Sequence, residues 1–211
     1  MIEQGSEAWR ALKCGWVGAS RVADIIATTK GGGVSASRTT YMGQLIAERL
    51  TGIPMETYTN EHMQWGTNTE ADARAAYQFE RGILVAKASF VPHPTVHTAG
   101  ASPDGMIGDD GLLEIKCPKT STHVDTILKG KVPGHYITQM QFQMACTGRR
   151  WCDFASFDPR MPESMRLYIQ RVPRDDETIA KLEAAVREFI AELDDKVAAL
   201  RARYEPKQEA A

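Results

Sequence analysis

The chain has four cysteines, Cys14, Cys117, Cys146 and Cys152, but no C-x-x-C pair. Without closely spaced thiolates, neither a structural zinc site nor a disulfide framework is expected. His93 and His97 are four apart, yet Pro92 and Pro94 bracket His93 and argue against the helix that would align them as ligands. No apolar run approaches the length of a membrane span, and Met1-Ile2-Glu3-Gln4 lacks the basic and apolar parts of a signal peptide. A cytoplasmic protein is expected. A G-x-x-x-x-G-K-[ST] loop is also missing, so nothing points to ATP hydrolysis. Net charge is only −2, which disfavours a coat-like nucleic-acid binder. It leaves room for a locally basic channel, since steering depends on how charge is distributed. Lys116, Lys119, Lys129, Lys131, Arg149 and Arg150 give the middle of the chain such a local excess. No linker, internal repeat or low-complexity block divides the 211 residues, and 43% hydrophobic content suits one well-buried domain spanning 1–211.

What the chain does have is concentrated between Ser102 and Lys116, in S-P-D-G-M-I-G-D-D-G-L-L-E-I-K. Side chains alternate along a strand, so Glu114 and Lys116 share a face while Ile115 points into the core. Gly108-Asp109-Asp110-Gly111 is turn chemistry that lets the segment holding Asp104 fold back beside the strand holding Glu114. Two readings follow. One is a hairpin with solvated acids at its turn, which suits Asp109 and Asp110. The other is a pair of carboxylates, Asp104 and Glu114, that hold Mg²⁺ and a water beside a phosphodiester, with Lys116 next to them. Glu114 favours the second, because it interrupts an apolar Leu112-Leu113-x-Ile115 strand where an unpaired carboxylate is costly to bury.

The first half reads mainly helical. Helices are predicted at about 7–14, from an N-cap at Ser20 through Ile26, from a cap at Ser37 to Gly52, and from near Thr67 to Arg81 with Gly82 as the C′ residue. Thr28 to Ser37, with three consecutive glycines, reads as a loop. Strands are predicted at 83–86, 88–91, up to Ala101, 112–116, 152–157 and 167–172, with a helix at about 134–146 between the fourth and fifth. The last helix, about 176–204, carries Ile179, Leu182, Val186, Phe189, Leu193, Val197 and Leu200 as one apolar stripe, for packing on the domain or on another subunit. The tail after Glu205 is expected to be disordered. Together these predict an α/β (α+β) domain with a central mixed β-sheet flanked by helices.

Two flanking helices bear on the carboxylate pair. Glu70, in W-G-T-N-T-E, lies near the start of its helix; it is either a third cleft carboxylate or an ordinary first-turn acid favoured by the helix dipole. Gln139 and Gln141 cannot share one helical face, so one is expected at the cleft and the other in packing or solvent.

With these motifs in view, the chain resembles the lambda-exonuclease and YqaJ-type viral recombinase family of the P-D-(D/E)-x-K nuclease superfamily. The stretches that carry the resemblance are E-Q-G-S-E-A-W at 3–9, G-A-S at 18–20, W-G-T-N-T-E at 65–70, S-P-D-G at 102–105, E-I-K-C-P-K-T-S at 114–121, Q-M-Q at 139–141 and F-D-P-R-M at 157–161. They occur in family order over about residues 3 to 200.

The resemblance implies a restriction-endonuclease-like core and a specific division of labour. Asp104, Glu114 and the Ile115 carbonyl would hold two Mg²⁺ ions, with Mn²⁺ an alternative. Lys116 would position and activate the attacking water, and Glu70 would assist. A pocket for the 5′-phosphate of the digested strand would use Lys13, Ser20, Ser102 and Gln139. The lambda member carries arginine at the Lys13 position, and lysine keeps the charge while losing the bidentate fork. Met63 matches an apolar residue that wedges between the last base pairs, or else simply packs. The implied activity is an ATP-independent, processive 5′→3′ exonuclease on linear double-stranded DNA. It would release 5′-mononucleotides and leave 3′ tails for a single-strand annealing protein of the Bet type. The family also implies a ring-shaped homotrimer, with the gene borne by a phage or prophage. The rival readings are a structure-specific endonuclease or nickase, a non-catalytic DNA-binding scaffold, and a cysteine hydrolase using Cys117 with His123 or His135.

Overall fold

The computed structural model describes residues 2–55 and 61–204, without the side chains at 61–63 and 67. In chain order the elements are α1 (Glu7–Leu12), β1 (Val17–Gly18), α2 (Val22–Ile26), α3 (Ala36–Thr51), α4 (Glu61–Arg81), β2 (Val91–Pro92) and β3 (Ala99–Ala101). There follow β4 (Gly105–Ile107), β5 (Gly111–Lys116), α5 (Thr120–Lys129), α6 (Gly134–Thr147), β6 (Trp151–Phe157), β7 (Leu167–Pro173) and α7 (Asp176–Tyr204). The fold is mixed α/β, as the alternation of patterns predicts. The strands divide between two sheets: a central four-stranded sheet of order β4-β5-β6-β7 and a smaller one of order β1-β3-β2. Both are mixed. In the larger, β5 and β6 are parallel while β4 and β7 run antiparallel at its edges.

Helix α6 joins the two halves, and its sequence dictates how. Met140 and Met144, one turn apart, pack on the central sheet with Leu112, Cys152 and Phe154. Phe142 and Cys146 join the other core, where α7 contributes Leu182, Val186, Phe189, Leu193 and Val197. The α7 stripe therefore packs on this same chain. With two apolar rows engaged on different partners, α6 is buried nearly all round, and its glutamines must find partners inside.

Several local expectations give way to tertiary context. Ser35, not Ser37, caps α3, its Oγ accepting from the Arg38 N–H at 3.1 Å. Ser20 sits in a 3₁₀ turn ahead of α2, and α2 itself has no side-chain cap. Helix α4 starts at Glu61, earlier than Thr67. The segment 83–90 forms no strand beyond a bridge from Ala86 to Met106, and the Ala88 carbonyl accepts from the Gln4 side chain instead of a neighbouring strand. Helix α5 was not expected, since T-S-T-H-V-D-T-I-L-K is rich in weak helix formers. Its buried His123 anchors it, meeting Ser156 Oγ at 2.7 Å and the Met165 carbonyl at 2.8 Å. The tail from Glu205 lies outside the described residues.

The turn between β4 and β5 is clamped from outside. Arg149 Nη1 donates to the carbonyls of Ile107, Gly108 and Gly111 at 3.2, 2.7 and 2.7 Å. Arg150 pairs with Asp110 and Lys129 with Asp125, so these members of the basic cluster are engaged structurally. At the start of β5 the backbone passes directly over Trp151. A Cβ on Gly111 would lie 2.2 Å from Trp151 Cη2, and the ring cannot retreat because Arg171 stacks 3.5 Å from its centroid. Gly111→Ala is expected to cost about 1–3 kcal/mol by overpacking, measured as a lower urea midpoint at unchanged m-value.

Candidate active site

The β4–β5 hairpin performs the convergence that the turn chemistry predicts. Asp104 immediately precedes β4, and Gly105 pairs with Leu113 across the hairpin. Asp104 Oδ2 accepts the Ile115 N–H at 2.6 Å, which fixes its carboxylate beside Glu114. Alternation along β5 then sorts the faces. Leu113 and Ile115 pack with Ala73 and Tyr77 of α4, whereas Leu112 and Glu114 turn toward α6.

Glu114 is 1% exposed, so its charge must be compensated inside the protein. Three donors do this. Gln139 Nε2 donates to Oε1 and Gln143 Nε2 to Oε2, each at 2.6 Å, and Lys116 Nζ lies 2.5 Å from Oε1. Gln139 and Gln143 are four apart on α6 and share a face. Gln141 points the other way, bonding the Pro173 carbonyl and the Asp175 N–H. The expected split between the two sequence-flagged glutamines therefore holds. Gln143 was missed, although its i+4 spacing from Gln139 is visible in the sequence.

Electrostatics mark the cleft as short of positive charge. Burial pushes the Asp104 carboxyl well above the usual carboxylate range, and the Glu114 and Glu70 carboxylates add to this against Lys116 and the Ile115 N–H. Burial works to lower the Lys116 pKa, but Glu114 and Asp104 outweigh it and hold the ammonium above its ordinary value. The ammonium also sits 5.0 Å over the Tyr136 ring. Glu70 lines a cleft of about 520 Å³ together with Asp104, Arg74, Gln4 and Lys87. It is tied to Arg74 at 2.9 Å, a partner that sequence reading did not name.

A second pocket, about 130 Å³, abuts this site. Lys13, Ser20, Ser102 and Gln139 line it together with Trp9 and Gln143. The structure thus gathers the four residues predicted for one pocket, although they are spread over more than half the chain. Trp9 Nε1 donates to Ser102 Oγ at 3.0 Å, and Lys13 Nζ lies 3.8 Å over the Trp9 ring. Burial lowers the Lys13 pKa, Glu48 opposing and Arg21 reinforcing the shift. The side chain of Met63 lies outside the described residues.

Among the described residues no three His, Cys, Asp or Glu side chains form a metal-binding group. The acidic set is a pair, Asp104 and Glu114, with Glu70 turned to Arg74. That set fits Mg²⁺, a hard cation commonly held by one or two carboxylates while keeping several waters. Such a cation would oppose both causes that raise the Asp104 pKa, burial first and the neighbouring Glu114 and Glu70 carboxylates after it.

Residues 8–150 match the model of the YqaJ-like viral recombinase domain. The chain belongs to this family. Among solved structures, it resembles the alkaline exonuclease LHK-Exo from Laribacter hongkongensis with a TM-score of 0.87 and 48% identity, over 94% of this chain and 97% of that one. The complex of LHK-Exo with dAMP gives a TM-score of 0.88 at the same identity and coverage. A phage-related exonuclease from Haemophilus somnus 129PT shares the fold, with a TM-score of 0.66 at 17% identity over 86% of this chain and 96% of that one. No curated protein matches the chain. This YqaJ-family protein is therefore a nuclease related to the alkaline exonucleases.

Other sequence-flagged groups in the YqaJ-family chain have structural tasks. Burial, with Glu70 and Asp104 adding, pushes the Cys117 thiol up to about 12, which disfavours the thiolate that a nucleophile needs. Both ring nitrogens of His123 are engaged, and the cysteine-hydrolase reading has no support. In F-D-P-R-M, Asp158 is fully buried; burial opposes its ionisation, but Arg160 and Thr120 hold its pKa at about 2. Arg160 in turn stacks 4.5 Å over Trp65, bracing the end of β6 against α4. No helix among the described residues is long and apolar enough to cross a membrane.

Proposed function

We propose that this YqaJ-family nuclease is a Mg²⁺-dependent, ATP-independent, processive 5′→3′ exonuclease on linear double-stranded DNA. It releases 5′-mononucleotides and leaves 3′ single-stranded tails for an annealing protein of the Bet type. The observation that carries this reading is the adjacency of two sites: the Asp104–Glu114–Lys116 cluster, and a pocket lined by one ammonium, two hydroxyls and side-chain amides that shares Gln139 and Gln143 with it. Such donors suit a terminal phosphate. The dAMP bound to LHK-Exo belongs to the product class that the proposed reaction releases. The proposed assembly is a single-domain protomer in a ring-shaped trimer, acting in the cytoplasm of a bacterial host on a phage or prophage gene's behalf.

Asp104, Glu114 and the Ile115 carbonyl would hold the metal, which supplies a more acidic bound water and neutralises charge on the leaving oxygen. The chain's own groups do the rest. Gln139 and Gln143 hold the Glu114 carboxylate in orientation, and Glu70 stands at the cleft wall on its Arg74 tether. Lys13, Ser20, Ser102 and Gln139 seat the 5′ end, so that the adjacent phosphodiester reaches Lys116 and the attacking water.

The test digests linear duplex bearing or lacking a 5′-phosphate, beside a closed circle, with and without Mg²⁺. End-dependent, Mg²⁺-dependent release of mononucleotides is expected; cutting of the circle sinks the exonuclease claim. Lys13→Gln removes one charged hydrogen-bond donor. It is expected to reduce the kcat/KM preference for 5′-phosphorylated ends by about 10- to 100-fold. A solution mass measurement on the same sample tests the trimer.

A further inference from the structure

The catalytic carboxylate and the 5′-end pocket are not merely adjacent. They are joined through two hydrogen bonds of 2.6 Å from a single face of α6. A carboxylate offers about four lone-pair positions, and Gln139, Gln143 and Lys116 already occupy three on Glu114. A cation that draws on Glu114 must share or shift these contacts. Any such shift passes directly to two amides that line the pocket.

The two amides are not equivalent. Gln143 is fully buried, and among the described residues its Oε1 has no hydrogen-bond partner and its N–H on Glu114 is the polar contact that holds the side chain. Losing this contact would strand a buried amide, which costs the full desolvation of the group. Gln139 is slightly more open, at 9%, and carries a second N–H that can turn to a phosphate. Gln143 is thus the fixed arm of the clamp and Gln139 the arm that responds.

We propose that Gln143 is a positioning residue for Glu114, and that the Gln139–Glu114–Gln143 clamp couples occupancy of the 5′-end pocket to cation binding at the catalytic pair. A terminal phosphate that takes hydrogen bonding from Gln139 withdraws donor density from Glu114 Oε1 and leaves that oxygen more available to the cation. Gln143 meanwhile prevents the carboxylate from swinging away. The consequence is that the cleft is fully armed only when an end with a phosphate is seated. This rests on the pocket reading proposed above.

Linkage makes the coupling reciprocal: the phosphate must tighten the cation by the same factor that the cation tightens the phosphate. The measurement uses the full chain with a short blunt duplex carrying a 5′-phosphate or a 5′-hydroxyl. Ca²⁺ serves as a cation that supports binding, with no need for turnover. Duplex affinity is read by fluorescence anisotropy in Ca²⁺ and in EDTA, and Ca²⁺ affinity by calorimetry with each duplex. In the parent protein, both routes should give the same coupling, about fivefold or more. Gln143→Met, which keeps the volume and removes the amide, should bring the factor close to one while preference for the phosphorylated end in EDTA persists. Gln143→Asn, too short to reach Glu114, should behave alike, and thermal midpoints report whether either variant is folded.

A parent coupling of one overturns the proposal without any variant, leaving the pocket reading intact. Unchanged coupling in folded Gln143 variants overturns it as well. If the parent shows no preference for the phosphorylated end even in EDTA, the pocket reading itself fails and the coupling goes with it.

Discussion

Asp104→Asn is expected to abolish measurable exonuclease turnover and to make the metal-free protein more stable. The two effects share one cause. In the proposed site Asp104 is a metal ligand, and losing its carboxylate would remove several kcal/mol of metal-dependent stabilisation, a fall in kcat of at least about 10³-fold. Its oxygen nevertheless accepts the Ile115 N–H, and asparagine can keep that bond through its own carbonyl. What asparagine discards is a carboxylate that burial, Glu114 and Glu70 all oppose.

The sign of the pH dependence follows. The folded state holds the Asp104 proton more tightly than the unfolded chain, so this group's contribution is full below the unfolded pKa. It is lost as pH rises through the elevated folded value. In EDTA, the parent should therefore lose stability over that window, and Asp104→Asn should show a flatter profile. Each ~1 kcal/mol of relieved repulsion raises Tm by about 2–4 °C for a chain of this size. Thermal scans across pH decide it. A variant less stable than its parent in EDTA at neutral pH would mean that the carboxylate is a structural support, not a functional burden.

How much of this is legible in sequence depends on the range of each interaction. Asp104, Glu114 and Lys116 are readable because a single hairpin brings them together, and two rules, turn chemistry and strand alternation, specify that hairpin. Lys13, Ser20, Ser102 and Gln139 meet only through the docking of α1, the 3₁₀ turn before α2, the β3–β4 connection and α6. No local rule brings them together, and only the ordered motifs of a family resemblance pointed to them.

Gln143 fell between these cases. Its spacing from Gln139 is local, but that a carboxylate awaits both amides depends on how α6 packs over β5. Helix α5 shows the same limit for fold: its propensities are weak, and what holds it is a histidine buried against β6. The basic cluster shows how a residue count leaves out what each charge does in space. Arg149 contributes charge in a count of residues, yet in space it spends its guanidinium on three carbonyls of the β4–β5 turn.

Replacing Lys116 should produce a different signature. Its ammonium is held above its ordinary pKa by Glu114 and Asp104 despite burial, so in this state it has no lone pair to act as a base. In the proposed reaction its contribution is then to orient the attacking water and stabilise charge that develops on the phosphate. Lys116→Met is expected to lower kcat by about 10²–10⁴-fold, the range for loss of a positioned proton-bearing group. Stability should fall as well, because Glu114 is almost fully buried and loses the formal counter-ion it pairs with. Breaking a buried pair costs about 3–5 kcal/mol, and the two amides that remain, with Lys116 25% exposed, place this case at about 3 kcal/mol. Lys116→Arg keeps the charge and should restore most of the stability. Activity should not follow it, since a guanidinium cannot occupy the ammonium's position 2.5 Å from Glu114 Oε1 without moving the water. Paired urea titrations and single-turnover rates on the three proteins separate these roles. If Lys116→Met proved as stable as the parent, the ion pair would not be a support on which the buried Glu114 side chain depends.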